Sequence, residues 1–230
     1  MFLIGIIQKI NKDWKTFNNM IKEERIAEFI GIMLGDGHIG IYDTKQNKKI
    51  YQLKVSLDSR NVDYTNYVRG LMKEIFELEP KVFYKKKENA VDIKIYKKEK
   101  VFYAIDKLGL KLSPKMNTAE IPDKYSKGKI ALYVLRGLFD TDGSITVFNN
   151  NGKLYPRIEI RISPSPMQNQ FIDILKEHKI NHKIQRLDGG KIKIRINGVK
   201  ELSNWLEKVG SSNEQYLQKA EKFLKRKVYK

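Results

Sequence analysis

The chain holds 230 residues, 41% of them hydrophobic, with 12 Tyr, 10 Phe and 2 Trp; this is enough for one large or two small cored domains and excludes a disordered chain. Lys and Arg number 45 against 27 Asp and Glu, a formal net charge of +18 that favours a polyanionic partner, either nucleic acid or an anionic membrane surface. The lack of cysteine excludes a disulfide framework and a thiolate zinc site, and no apolar run approaches the roughly 18 residues of a membrane span. The opening MFLIGIIQKI lacks the basic flank and small-residue cleavage site of a signal peptide, so an intracellular protein is expected, in cytoplasm, nucleoid or organelle.

The first predicted helix spans Arg25 to Asp36, RIAEFIGIMLGD. It is apolar on nearly every side, which marks it as buried, and Gly37 should end it. QLKVSL, Gln52 to Leu57, alternates as a strand, with Leu53, Val55 and Leu57 on one face and Gln52, Lys54 and Ser56 on the other. Helical spacing returns over Val62 to Glu77. Two strand-like runs follow, Lys81 to Lys86 and Ala90 to Tyr96, with a turn at Glu88-Asn89. A short helix, Val101 to Leu108, closes the unit at Gly109, and Ile121 to Lys129 (IPDKYSKGK) reads as a linker.

The same order then repeats. Ile130 to Asp142 is a second buried-looking helix, ending at Gly143. RIEIRI, Arg157 to Ile162, alternates strictly, with the isoleucines inward. Met167 to His178 is helical. Segments at Lys183 to Leu187 and Lys191 to Ile196 pair across Asp188-Gly189-Gly190, a strong hairpin signal, and Leu202 to Val209 is the short helix before Gly210. Asp36 and Asp142 lie 106 residues apart, and the closing glycines 101 apart. The expected organisation is an N-terminal extension (1–24), a first half (25–124) and a second half with a basic tail (125–230).

Within the two helices, Gly31 and Gly35 are four apart, as are Gly137 and Thr141. Small residues at that spacing leave a flat stripe along which two helix backbones can approach closely. Packing along these stripes would set the C-terminal ends side by side and bring Asp36 and Asp142 together. Two carboxylates at the negative ends of two helix dipoles repel, and a divalent cation with oxygen ligands, magnesium above all, relieves that. In a strongly basic protein such a centre suggests phosphodiester hydrolysis. DTDGSI fails as a calcium loop, because position one would be Leu138. His38, His178 and His182 show no paired ligand spacing and read as bystanders.

FIGIMLGDG and LRGLFDTDG, with the repeat around them, resemble the paired motif of the LAGLIDADG homing endonucleases over roughly Arg25 to Asn213. The resemblance implies an α+β fold of two pseudo-symmetric αββαββα halves, each with a four-stranded antiparallel sheet, together forming a saddle over the DNA major groove. It implies a monomer that makes a site-specific double-strand break by hydrolysis in a long, partly asymmetric target. Asp36 and Asp142 would be the metal ligands, aided by main-chain oxygens of Gly35 and Thr141. Magnesium is expected, with manganese as a substitute and calcium binding without supporting cleavage. The same fold serves intron RNA maturases and inactive DNA-binding regulators, so intron RNA stays open as an alternative partner, and so does an intron or intein origin. No membrane partner is expected.

The family often places a lysine ahead of the closing Ile-Pro of the first half. Lys115 occupies that region, with Lys111 as a rival, and would steady the attacking water or the phosphate charge. Strand alternation sets Leu57 and Ile162 where many relatives carry a polar residue facing the metal. The outward residues that the resemblance assigns to DNA are Tyr42, Gln52, Lys54, Ser56, Lys86, Asp92 and Lys94 in the first half. In the second they are Arg157, Glu159, Arg161, Lys191, Lys193 and Arg195. Arg and Lys suit guanine edges, Gln suits adenine, and acids accept from cytosine.

Overall fold

Helix α1, Lys22–Leu34, starts where Glu24 accepts the Ile21 N–H at 3.1 Å, and it buries every residue from Ile26 to Leu34. It stops two residues short of the expected end. The chain turns at Gly35-Asp36 and enters strand β1, Gly37–Asp43, at once. A side chain at Gly37 would overlap the Met33 backbone, so the strand leaves flush against the helix it follows. This computed structural model describes residues 20–228 except Lys86. Lys86 and most of the expected N-terminal extension therefore lie outside the described residues.

Strand β2, Lys49–Asp58, pairs antiparallel with β1, with Gly37 opposite Val55. Helix α2, Val62–Phe76, is capped by the Asn61 side chain, which accepts the Tyr64 N–H. Strands β3, Lys81–Lys85, and β4, Ala90–Ile95, complete a sheet of order β1-β2-β4-β3. Helix α3, Lys98–Phe102, widens into a π-turn over Tyr103–Lys107 and gives way to Gly109 at φ +73°, a left-handed position that suits glycine.

The second half repeats this. Helix α4, Gly128–Asp142, leads into β5, Gly143–Asn150, and β6, Lys153–Ile162; then come α5, Met167–Glu177, β7, Lys183–Arg186, β8, Ile192–Asn197, and α6, Val199–Lys208. The sheet order is β5-β6-β8-β7. Leu53, Val55 and Leu57 in one sheet and Ile158, Ile160 and Ile162 in the other are buried, as the alternation predicts. The expected linker is a packed strap: Ile121 and Tyr125 are buried, and Gln170 bonds both the N–H and the carbonyl of Ile121 at 2.8 Å. Helix α7, Glu214–Val228, lies beyond the repeat. It buries Leu217, Ala220, Phe223 and Leu224, an amphipathic stripe hidden in sequence by its many lysines.

Helices α1 and α4 cross backbone to backbone. A methyl group on Gly31 would overlap the Val134 carbonyl oxygen and sit 2.8 Å from Leu138 N. On Gly137 it would overlap the Glu28 carbonyl and sit 2.8 Å from Ile32 N. On Gly35 it would overlap Thr141 Oγ1 and lie 3.3 Å from Asp142 Oδ2. The four small residues are thus the contact itself.

Candidate active site

The helix crossing delivers Asp36 and Asp142 to one place, each just before the first strand of its sheet. The Ser56 N–H donates to the Asp36 carbonyl at 3.1 Å, which ties the turn to β2. Lys115, from the loop after α3, reaches across the end of α1. Its Nζ donates to the carbonyls of Met33 and Leu34, both at 2.8 Å, and to that of Gly35. The ammonium thus caps the negative end of the α1 dipole. Its rival Lys111 points away and pairs with Glu120 at 2.5 Å.

The charges at this place are under stress. Burial, then the Asp142 carboxylate, pushes the Asp36 carboxyl up to about 6 against the opposing pull of Lys115. Burial also raises Asp142, again opposed by Lys115. Burial pulls the Lys115 ammonium down to about 8, while Asp142 and Asp36 hold it up. Two carboxylates that gain from a neighbouring cation, beside the Gly35 and Thr141 main chain at two helix ends, form an all-oxygen donor set. That set fits a hard divalent cation. Among the described residues no cluster of three or more His, Asp or Glu could hold a metal alone, so such an ion would draw further oxygens from main chain, water or phosphate.

The sequence matches the LAGLIDADG DNA endonuclease family over residues 27–202, a span that takes in both aspartates and both sheets. The chain belongs to that family. It is accordingly a DNA endonuclease, a hydrolase by class. Its fold is similar to that of a mutant of I-SmaMI (TM-score 0.67, 10% identity, 89% of this chain and 92% of that one). It is similar also to I-DmoI in complex with DNA and Ca (0.63, 14%, 88% and 100%) and to the LAGLIDADG homing endonuclease I-LtrWI bound to target DNA (0.60, 11%, 90% and 92%). The Replication factor C small subunit of Methanocaldococcus jannaschii is 32% identical over 136 residues, which is 56% of this chain; the chain spans 6% of that protein's length.

In this LAGLIDADG endonuclease the register places Ser56 opposite Asp92 and Lys54 opposite Lys94, with Gln52 opposite Gly40, all on the outer face of the first sheet. In the second, Arg157, Glu159 and Arg161 oppose Asn197, Arg195 and Lys193. Lys191, just before β8, is exposed. Tyr42 closes the face at the far end of β1.

Three expectations need correction. Leu57 and Ile162 do not face the carboxylates: both are buried in the core, because Ser56 and not Leu57 meets Asp36 across the β1–β2 pair. Asp92 lies on the outer face but is not an open acceptor. Its side chain is 2% exposed and is held by Ser56 Oγ at 2.8 Å and the ammoniums of Lys94 at 3.0 Å and Lys85 at 3.7 Å. Glu159 is similarly engaged, by Arg195 Nε at 2.9 Å and Arg157 at 3.7 Å. Both acids brace the basic side chains beside them.

Other residues at the site escaped the sequence reading. His38, expected to be a bystander, lies on the outer face opposite Lys54; its Nε2 meets the Tyr42 hydroxyl across Gly40, where any side chain would collide with the Tyr42 ring. Counting by twos from Asp36 along β1 would have found it. Tyr216 follows Gly210 by six residues, as Lys115 follows Gly109. Its hydroxyl donates to the Gly143 carbonyl at 2.6 Å, at the start of β5, so at the matching spacing the second half has a neutral group, bonded to the strand and not to the helix-end carbonyls that Lys115 holds.

Behind the aspartates, Asp140 is buried on α4 and accepts from Ser211 Oγ at 2.5 Å and the Ser212 N–H at 2.6 Å. Burial, then Glu28, pushes it up to about 8. Glu28 accepts from the Tyr67 hydroxyl at 2.8 Å and pairs with Arg136 at 3.6 Å, while Arg136 Nε donates to the Val209 carbonyl. Asn61 and Asn213 bond across the halves at 2.9 Å.

Proposed function

We propose that this endonuclease makes a site-specific, metal-dependent double-strand break in a long, partly asymmetric DNA target, acting as an intracellular monomer with one strand cut per half. The halves are taken as residues 25–124 and 125–230, with 1–24 as an extension. The observation that carries the reading is the convergence of Asp36, Asp142 and Lys115 at the point from which two basic sheet faces depart.

Asp36 and Asp142 would hold the metal, with the main-chain oxygens of Gly35 and Thr141. A divalent cation bound there supplies Lewis acidity to a phosphodiester oxygen and acidifies a water. Magnesium is the proposed ion, with manganese able to replace it and calcium binding without cleavage. The solved relatives in complex with Mn, with Ca and with Mg support divalent metal use. Lys115 sits where it can offset charge on the attacked phosphate, a role in which a preorganised donor contributes about 100- to 1000-fold. The Lys and Arg side chains of the outer faces neutralise phosphates and read base edges. The I-DmoI and I-LtrWI complexes with DNA support double-stranded DNA as the partner.

Digestion of a randomised duplex library with magnesium, followed by sequencing of the ends, tests this. One recurrent sequence with a fixed stagger is expected. No cutting with magnesium or manganese, together with specific RNA binding, would replace the reading with an RNA-binding one.

A further inference from the structure

We propose that Asn117 is the positioning residue for Lys115: held in a left-handed conformation, it hangs the turn that carries the lysine on the second half of the molecule. The inference rests on the role proposed above for Lys115 and adds a residue that acts through it.

The loop after α3 is anchored on both sides of Lys115, and the two anchors belong to different halves. Before the lysine, Ser113 lies along β1, the edge strand of the first sheet. Its N–H donates to the Ile39 carbonyl at 2.8 Å, and its Oγ accepts the Ile39 N–H at 3.2 Å. After the lysine the chain turns back, and the Lys115 carbonyl accepts the N–H groups of Thr118 at 3.0 Å and Ala119 at 2.8 Å. Asn117, the third residue of that turn, has φ +66°. Its N–H donates to the Pro164 carbonyl at 2.8 Å, and the Ala119 carbonyl accepts the Met167 N–H at 3.1 Å. Pro164 and Met167 stand at the junction of β6 and α5, in the second half.

A left-handed φ costs every L-residue something; asparagine tolerates it best after glycine, and a β-branched residue worst. The Asn117 side chain is exposed, so what the residue contributes here is its backbone conformation. Lys115 depends on that conformation. Its Nζ meets the carbonyls of Met33, Leu34 and Gly35 together, and a long side chain reaches three acceptors at once only from a fixed backbone. Ser113 fixes one end of the turn alone. Without the Pro164 anchor the turn is free to swing about Ser113, and a shift of about 1 Å in a positioned group can cost about 100-fold in rate. An ammonium of the first half is thus set in place by an acceptor of the second.

The test uses the full chain, magnesium and the duplex recovered from the randomised library, with single-turnover cleavage and gel-shift affinity read for each variant. Asn117→Val opposes the left-handed turn and should slow cleavage about tenfold, with affinity held within about twofold. Asn117→Gly, which keeps the turn without the side chain, should cut within about twofold of the parent rate. Made on top of Lys115→Met, Asn117→Val should slow cleavage no further, whereas a merely structural residue would slow both backgrounds alike. Asn117→Ala, a milder change, carries the same comparison if Asn117→Val does not fold. Equal slowing in both backgrounds, a parent rate in Asn117→Val, or loss of cleavage in Asn117→Gly overturns this inference and leaves the endonuclease reading standing. Cleavage by Lys115→Met at the parent rate overturns the proposed role of Lys115 and this inference with it.

Discussion

Replacing Asp36 by Asn should stabilise the protein while it destroys the site. The Asp36 carboxyl is pushed from 3.8 to about 6 by burial and by Asp142. The folded state therefore binds this proton more tightly than the unfolded state does. That advantage is full below about pH 3.8 and is lost as the pH rises through 6. A shift of about two units corresponds to about 3 kcal/mol, and partial solvent access reduces this to about 1–2 kcal/mol at pH 7.5. In a chain of this size that is a rise in Tm of about 2–8 °C for Asp36→Asn, at pH 7.5 in chelator. At pH 4 the two proteins should melt nearly together. Magnesium should raise the Tm of the parent chain and leave Asp36→Asn unmoved, since only the former holds a full carboxylate pair. Thermal unfolding at the two pH values, with chelator and with magnesium, makes the measurement. An Asn variant no more stable than the parent at pH 7.5, or equally stabilised at pH 4, would refute the reasoning.

Gly137→Ala should cost about 1–3 kcal/mol because the methyl overlaps the Glu28 carbonyl, whereas Gly70→Ala on α2, which meets open space, should gain up to about 1 kcal/mol; denaturant unfolding compares them. Lys115→Met should slow cleavage about 100- to 1000-fold while DNA binding, read by gel shift, stays within a few-fold. The half carrying Tyr216 in place of a lysine should cut its strand more slowly, so a nicked intermediate should accumulate in single-turnover assays of a plasmid target. Asp140, pushed up to about 8, makes stability fall as the pH rises towards 8, and Asp140→Asn should flatten that part of the stability profile.

The helix pair was legible because its signals are local: small residues at a spacing of four and an Asp-Gly at each end. Strand faces were legible wherever one side is buried, as in RIEIRI. What escaped reading depends on long-range register or pairing. Leu57 seemed to face the metal because alternation gives parity without an origin; the bond from Ser56 N–H to Asp36 O supplies the origin. Lys111 and Lys115 are indistinguishable by position, and Glu120 separates them by capturing one. Asp92 and Glu159 read as open acceptors because half of what occupies them, Lys85 and Arg195, stands on neighbouring strands, beside Lys94 and Arg157 two residues away on their own. Glu28, Arg136 and Asp140 look like stray charges in apolar helices until Tyr67 and Ser211 arrive from 39 and 71 residues away.

The central claim is that Asp36 and Asp142 form one metal-dependent centre serving both strands. Asp36→Asn and Asp142→Asn, each made alone and assayed on the recovered duplex with magnesium, test it most directly. Each variant should bind the duplex and fail to produce a double-strand break. Full double-strand cleavage by either one would contradict the claim.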